Sequence, residues 1–152
     1  MMIFAVGNCA ANKWDYYKYN MFSYEVQDFN KNKSHFELLA KNLYSYFEEE
    51  LKNNDQLQYI KVEQADLTEE EKESLKYVVA AIAHTYNDEF YMIVHLNRVT
   101  FKMRDYAVIW SRNGRKPDFL FTPDEEKEFF SKRILFYSFN WYQCIYKERP
   151  YG

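Results

Sequence analysis

EFYMIVHLNRVTFKMRDYAVIWSRNGRKPDFLF, residues 89–121, contains several consecutive strand patterns and indicates a fold that includes a β-sheet. Residues 89–96 are apolar at almost every position, which is typical of a central strand buried on both faces. In residues 98–104 apolar and polar side chains alternate, which predicts a strand with one buried and one solvent-facing side. The apolar members are Val99, Phe101 and Met103, and the polar members are Arg98, Thr100, Lys102 and Arg104.

The same stretch ends with a predicted hairpin. A further strand, YAVIWSR, runs into Asn113-Gly114, the pair that favours a two-residue turn between antiparallel strands. The returning segment contains Pro117, which donates no ladder hydrogen bond and therefore indicates an edge strand. We predict a C-terminal antiparallel meander over about residues 89–121.

Three helix starts share one signal, a serine or threonine N-cap followed three residues later by glutamate. The pairs are Ser34 with Glu37, Thr68 with Glu71, and Thr122 with Glu125. They predict helices over about residues 35–52, 69–86 and 123–147. In the first two, apolar residues recur at helical spacing on a single face, as expected of helices that pack on a core.

Other segments also have strand patterns. In LQYIKVE, residues 57–63, which lies between the first two predicted helices, apolar and polar residues alternate as in a strand. The N-terminal segments MIFAV and YYKYNMFSYEVQDF suggest strands before the first helix. The chain of 152 residues is long enough to bury a core without disulfides. The sequence therefore predicts one α+β domain, residues 1–152, built on a mainly antiparallel sheet with helices on one side.

ILFYSFNWYQCIY, residues 134–146, packs six aromatic side chains into thirteen positions. On the third predicted helix, its apolar residues cover well over half of the circumference, more than the stripe of about 100° that a surface helix buries. Two explanations of the surplus are open: the helix lies in the middle of the fold, or one of its sides makes an interface. The interface would use Phe139, Trp141, Tyr142 and Tyr146, and a homo-oligomer could form through this helix.

Charge is distributed unevenly, although the formal net charge is only -3. Residues 98–116 hold six basic residues against Asp105 alone, whereas residues 37–73 hold eleven acids and four lysines. A basic strand face beside aromatic rings could bind single-stranded nucleic acid or an acidic protein. The alternative without a binding function is a solvent-exposed face whose basic side chains pair with acids of neighbouring helices. The candidate binding residues are Arg98, Lys102, Arg104, Trp110, Arg112, Arg115 and Lys116.

Signals for catalysis are weak. His84, Asp88, Glu89 and His95 flank one short turn and could converge on a metal or acid–base site. Structural ion pairs and burial also explain such residues, so this pattern alone indicates little. With two cysteines and three glycines there is no disulfide framework and no phosphate-binding loop, and we expect neither a metal nor a cofactor.

These features together predict a non-catalytic binding protein with a macromolecular partner, first of all a protein. Abundant Tyr, Phe, Asn and Lys indicate AT-rich coding and favour an inhibitor, immunity or accessory protein of a phage or other mobile element. The alternatives are a nucleic-acid or nucleotide binder that uses the basic strand face, and a small hydrolase with a His84/His95 site. The short N-terminal apolar run matches neither a signal peptide nor a membrane span, so we expect a cytoplasmic protein without membrane contact.

Overall fold

The computed structural model describes residues 29–82, 90–103, 106–117 and 129–148. Within these ranges the chain forms two α-helices and a six-stranded sheet in which every neighbouring pair is antiparallel, so the predicted α+β class is confirmed. The elements are α1 (Phe29–Asn53), β1 (Ile60–Val62), a 3-10 helix (Gln64–Asp66), α2 (Glu69–Ile82), β2 (Tyr91–His95), β3 (Arg98–Lys102), β4 (Tyr106–Ser111), β5 (Phe129–Ser138) and β6 (Trp141–Glu148). The strand order is β1-β2-β3-β4-β6-β5. The strands predicted near the N-terminus lie outside the described residues.

Helix α1 begins earlier than its predicted cap. It starts at Phe29, so Ser34 lies inside the helix and the prediction of an N-cap there is wrong. The reason is tertiary packing: the ring of Phe29 is buried, with its centroid 5.0 Å from that of Phe36 and 5.3 Å from that of Trp141. These contacts stabilise an additional helical turn that local capping signals do not reveal.

Helix α2 begins where its capping box predicts. The Glu71 N–H donates to Thr68 Oγ1 at 3.2 Å, and the Thr68 N–H donates to Glu71 Oε1 at 2.9 Å. The capping box thereby satisfies two backbone N–H groups at the start of the helix. The described helix ends at Ile82, and residues 83–86 of the predicted helix lie outside the described part of the chain.

The predicted meander is not confirmed as a whole. Strands β2, β3 and β4 do follow one another as antiparallel neighbours. However, residues 114–117 after the Asn113-Gly114 turn are not strand, and residues 118–121 are outside the described ranges. The second neighbour of β4 is instead β6, which comes from the C-terminal segment.

The third predicted helix is wrong for the part of it that the structure describes. Residues 129–148 form the hairpin β5–β6, with Ser138 paired to Trp141 across a two-residue turn. Strand β6 lies inside the sheet between β4 and β5, and residues 141–145 are all buried. A strand that is buried on both faces is apolar at successive positions, and this explains the broad apolar arc of the helical projection.

The two helices pack on one face of the sheet. Phe36 of α1 contacts Phe101 and Trp141 edge-on, and the Tyr106 hydroxyl donates to the backbone oxygen of Ile82 at the end of α2. The opposite face of the central strands is also shielded from solvent. Its members Ile93, Thr100, Ala107, Ile109 and Cys144 are each at most 1% exposed. Neither described helix is long and apolar enough to cross a membrane.

Candidate functional site

The basic strand face does not exist in the predicted form. Arg98 and Lys102 are each only 6% exposed, so the expectation that they face solvent is wrong. The physical reason is that the sheet is covered on both sides. Lys102 Nζ donates to the backbone oxygen of Met103 at 3.4 Å and lies 5.0 Å from the centroid of the Tyr91 ring. Arg104 is outside the described residues.

Trp110 is separated from these two cations. The Met103 N–H donates to the Tyr106 oxygen at 2.8 Å, where β3 ends and β4 begins. The resulting register pairs Trp110 with Val99, and directly paired residues share a face of the sheet. Trp110 therefore lies on the helix-facing side, where its ring meets Tyr44 edge-on at 5.9 Å.

The remaining basic candidates converge elsewhere, at one end of the sheet. Arg112, Arg115 and Lys116 follow β4 and are exposed. The β2–β3 and β5–β6 turns lie at the same end, because β2, β3, β4 and β6 are antiparallel neighbours in this order. We call the exposed surface of these three loops the turn end, formed by Leu96, Arg112, Asn113, Arg115, Lys116 and Phe139.

Two apolar side chains project from the tips of the hairpins. Phe139 is 78% exposed and Leu96 is 46% exposed. Each is followed by an asparagine with a positive φ, 66° at Asn97 and 68° at Asn140. Asparagine tolerates this left-handed conformation better than most residues, and the chain can therefore reverse sharply behind each exposed side chain.

Hydrogen bonds join the three loops. The Arg112 N–H donates to the Asn97 oxygen at 2.9 Å, and Asn140 Nδ2 donates to the oxygens of Ser111 at 2.7 Å and Arg112 at 3.3 Å. The Tyr142 hydroxyl donates to the Gly114 oxygen at 2.8 Å. The backbone behind the exposed side chains is thus fixed by contacts within the sheet end.

The electrostatic surroundings of the turn end are mixed at its border with α1. The Arg112 guanidinium carbon lies 5.6 Å from the centroid of the Tyr44 ring. One turn further along α1, the hydrogen bond from Lys52 lowers the pKa of Glu48, and the charge of Arg112 adds to the lowering. Arg112 therefore has an acidic neighbour on the α1 side, whereas Arg115 and Lys116 project from the loop beyond it.

The structure describes three of the four side chains of the predicted aromatic interface, and among these three only Phe139 is exposed. Trp141 is fully buried and Tyr142 is only 9% exposed, as members of the inner strand β6. The side chain of Tyr146 lies outside the described part of the structure. Because the described segment is a hairpin, a homo-oligomer through a C-terminal helix loses its structural basis, and the oligomeric state itself stays a prediction.

The histidine site is not assembled among the described residues. His95 is buried, with its ring 6.0 Å from that of Tyr59. His84, Asp88 and Glu89 lie in the part of the chain that is not described. Residues 29–82, 90–103, 106–117 and 129–148 contain no group of three His, Cys, Asp or Glu side chains that could hold a metal ion.

Comparison with known proteins gives no relative from which a function could be transferred. Searches of protein-family models, of curated proteins and of solved structures each find no match. The turn end is therefore the surface from which we infer a function.

Sequence reasoning missed the residues that shape this surface, Leu96, Asn97 and Asn140. The signal was present in His95-Leu96-Asn97-Arg98 and Ser138-Phe139-Asn140-Trp141, in which an apolar residue and an asparagine separate two apolar segments. An asparagine that tolerates positive φ is a turn signal in such a context.

Proposed function

We propose that the protein is a non-catalytic binding protein that docks an acidic protein partner on its turn end. The observation that carries the proposal is Phe139, a large apolar side chain that is 78% exposed at the tip of a turn with a fixed backbone. Aromatic and arginine side chains are enriched at the centres of protein interfaces. Phe139 beside Arg112 and Arg115 has this composition.

The geometry favours binding because little order has to be created. Burying a phenylalanine side chain in a partner pocket stabilises a complex by about 1.5–3 kcal/mol. Much of such a gain is lost when a mobile loop must first be ordered. Here Asn140 Nδ2 already ties the turn to β4 through its bonds to Ser111 and Arg112.

Charge defines the class of partner. Arg112, Arg115 and Lys116 are exposed on one loop, and such a cluster speeds encounters with a negatively charged surface and disfavours basic partners. The formal net charge of the whole chain is -3, so this attraction is local to the turn end. An inhibitor, immunity or accessory protein would use such a surface, and the assignment to a phage or mobile element rests on composition alone.

A nucleic-acid ligand is the second candidate, since Phe139 beside three cations could also stack a base. Arg98 and Lys102 are buried, so they do not extend the row of exposed cations along the sheet that could contact successive phosphates. Nucleic-acid affinity depends on the number of phosphates neutralised, so the shortened row of cations favours a protein partner.

A matched pair of charge-reversed baits tests the proposal. Arg115→Glu/Lys116→Glu alters the turn end, and Lys31→Glu/Lys41→Glu makes the same change of charge at exposed positions of α1. In quantitative affinity purification from the source organism, we expect the recovery of one acidic protein to fall about tenfold on the first bait relative to the unmodified chain. The second bait should recover as much of this protein as the unmodified chain does. Equal recovery on both baits would contradict the proposal.

Single-stranded DNA and RNA oligonucleotides, titrated at several salt concentrations, separate the two partner classes. If the partner is a protein, we expect that any saturable oligonucleotide binding is unaffected by Arg115→Glu/Lys116→Glu. A steep salt dependence that flattens in this variant would instead assign the turn end to nucleic acid.

A further inference from the structure

Among the described strands, β1 forms one edge of the sheet and β5 forms the other. Among the described residues its only strand partner is β2, through the pairs Ile60 with Val94, Lys61 with Ile93 and Val62 with Met92. Residues 58, 59, 61 and 63 along this segment are exposed. An open strand edge offers backbone donors and acceptors in the spacing that an added strand requires.

Helix α2 turns one flank toward α1 and the other away from it. The inner flank carries Glu71, which accepts from Asn42 at 2.9 Å, and Ser74, whose hydroxyl lies 3.1 Å from His35 Nδ1. The opposite flank lies beside the 3-10 helix that follows β1. Between them is a groove of about 650 Å³, lined mainly by Ala65, Lys72, Leu75, Lys76, Val79 and Ala80.

We propose that the outer edge of β1 and this groove together bind an extended peptide segment of a partner, in which a large apolar side chain neighbours an acidic one. The peptide would pair with β1 as a seventh strand of the sheet. An added strand lies about 4.8 Å beyond its neighbour, and alternate side chains point to the same face. Those on the helix-facing side would enter the groove at Leu75 and Val79.

Charge complementarity supports the acidic residue of this peptide. Within the described lining of the groove, Lys72 and Lys76 are the charged residues. Their partners are Glu69 at 3.5 Å and Glu73 at 3.2 Å in exposed pairs within one helix, and such pairs contribute little. Both ammonium groups can therefore turn to a carboxylate at the rim.

A second hollow continues the site along β1. It has a volume of about 430 Å³ and is lined by Lys61, Val62, Glu63, Phe90 and Tyr91, and it meets the groove at Gln64. Lys61 Nζ lies 4.3 Å from the centroid of the Tyr91 ring, so a cation and an aromatic surface stand side by side. Two hollows joined beside one strand edge suit successive side chains of an extended peptide.

Selection and mapping with defined peptides test the proposal. Random peptides of about twelve residues, displayed on phage, are selected on the immobilised full chain, and the enriched sequences are synthesised with a fluorophore. We expect an apolar residue next to Asp or Glu, slower amide exchange at Ile60–Val62 on binding, and at least about tenfold weaker binding to Lys72→Glu/Lys76→Glu. Lys31→Glu/Lys41→Glu is the control with the same change of charge, and it should bind as the unmodified chain does.

Selection of basic peptides or of no peptide would overturn this inference, as would binding that Lys72→Glu/Lys76→Glu leaves unchanged or binding without protection of the β1 amides. A dimer in light scattering with protected β1 amides and no peptide would assign the edge to a second copy of the chain, and would equally overturn it. Phe139→Ser should leave peptide binding unchanged, so this site and the turn end can fail separately.

Discussion

At the residue scale, Glu71 joins the two helices through a buried carboxylate. Besides the Thr68 N–H, the carboxylate accepts hydrogen bonds from Asn42 Nδ2 at 2.9 Å and from the Tyr46 hydroxyl. Burial acts to raise the pKa of Glu71, but the donors Tyr46, Thr68 and Asn42 outweigh it and hold the pKa below its ordinary value. The hydrogen bond from the Tyr46 hydroxyl to Glu71 in turn raises the pKa of the Tyr46 phenol.

Glu71→Gln should make the acid limb of the stability curve shallower. The lowered pKa means that ionised Glu71 stabilises the fold fully above its unfolded pKa of about 4.3, and that this contribution is lost as pH falls through the folded value. Free energies of unfolding from denaturant titrations between about pH 2 and 7 measure the difference. Exposed Glu49→Gln on α1 is the control, and parallel curves for the unmodified chain and Glu71→Gln would contradict the account.

At the scale of elements, the sequence predicted most reliably those that are encoded locally. The capping box of Thr68 and Glu71 and the apolar face of α2 both lie within one segment, and the structure agrees with both. The helix predicted over hairpin β5–β6 is wrong because residues 141–145 of β6 are all buried and lack the alternation that marks a half-exposed strand. Its aromatic residues are strand-favouring, and that preference was the better guide.

The β5–β6 turn should depend on Asn140 for two separable reasons. Asn140→Gly keeps the positive φ and loses the side-chain bonds to Ser111 and Arg112, which we expect to cost about 1–2 kcal/mol. Asn140→Ala loses the same bonds and must also adopt a left-handed conformation, so it should be less stable than the glycine variant by roughly 0.5–1 kcal/mol. Chemical denaturation of both variants measures this, and an alanine variant as stable as the glycine variant would contradict the turn geometry.

At the scale of the whole molecule, the charge asymmetry of the sequence is only partly expressed at the surface. Arg98 and Lys102 are buried, whereas Arg112, Arg115 and Lys116 remain exposed at the turn end. The sequence pattern predicted all four as binding or interface residues, the three basic residues on a strand face and Phe139 on a helix. Their actual neighbourhood depends on pairing β4 with β6, a contact between distant segments that no local pattern encodes.

The two proposed surfaces place different demands on a partner. The turn end offers a protruding aromatic ring and cations, and therefore fits a concave acidic surface. The proposed β1 site combines a groove with a strand edge that no other described strand pairs, and therefore fits an extended segment. A single partner could use both only if it presented a folded acidic surface and a flexible acidic-apolar tail.

Photo-crosslinking from the tip of the β5–β6 turn tests whether an acidic protein docks on the turn end. A benzophenone amino acid replaces Phe139 in one protein and Tyr77, which is 46% exposed on α2, in a control, and both are irradiated in the source organism. We predict one protein adduct at position 139 that maps to an acidic segment of the partner and that Arg115→Glu/Lys116→Glu abolishes. Equal adducts from both positions, or no protein adduct at position 139, would contradict docking at the turn end.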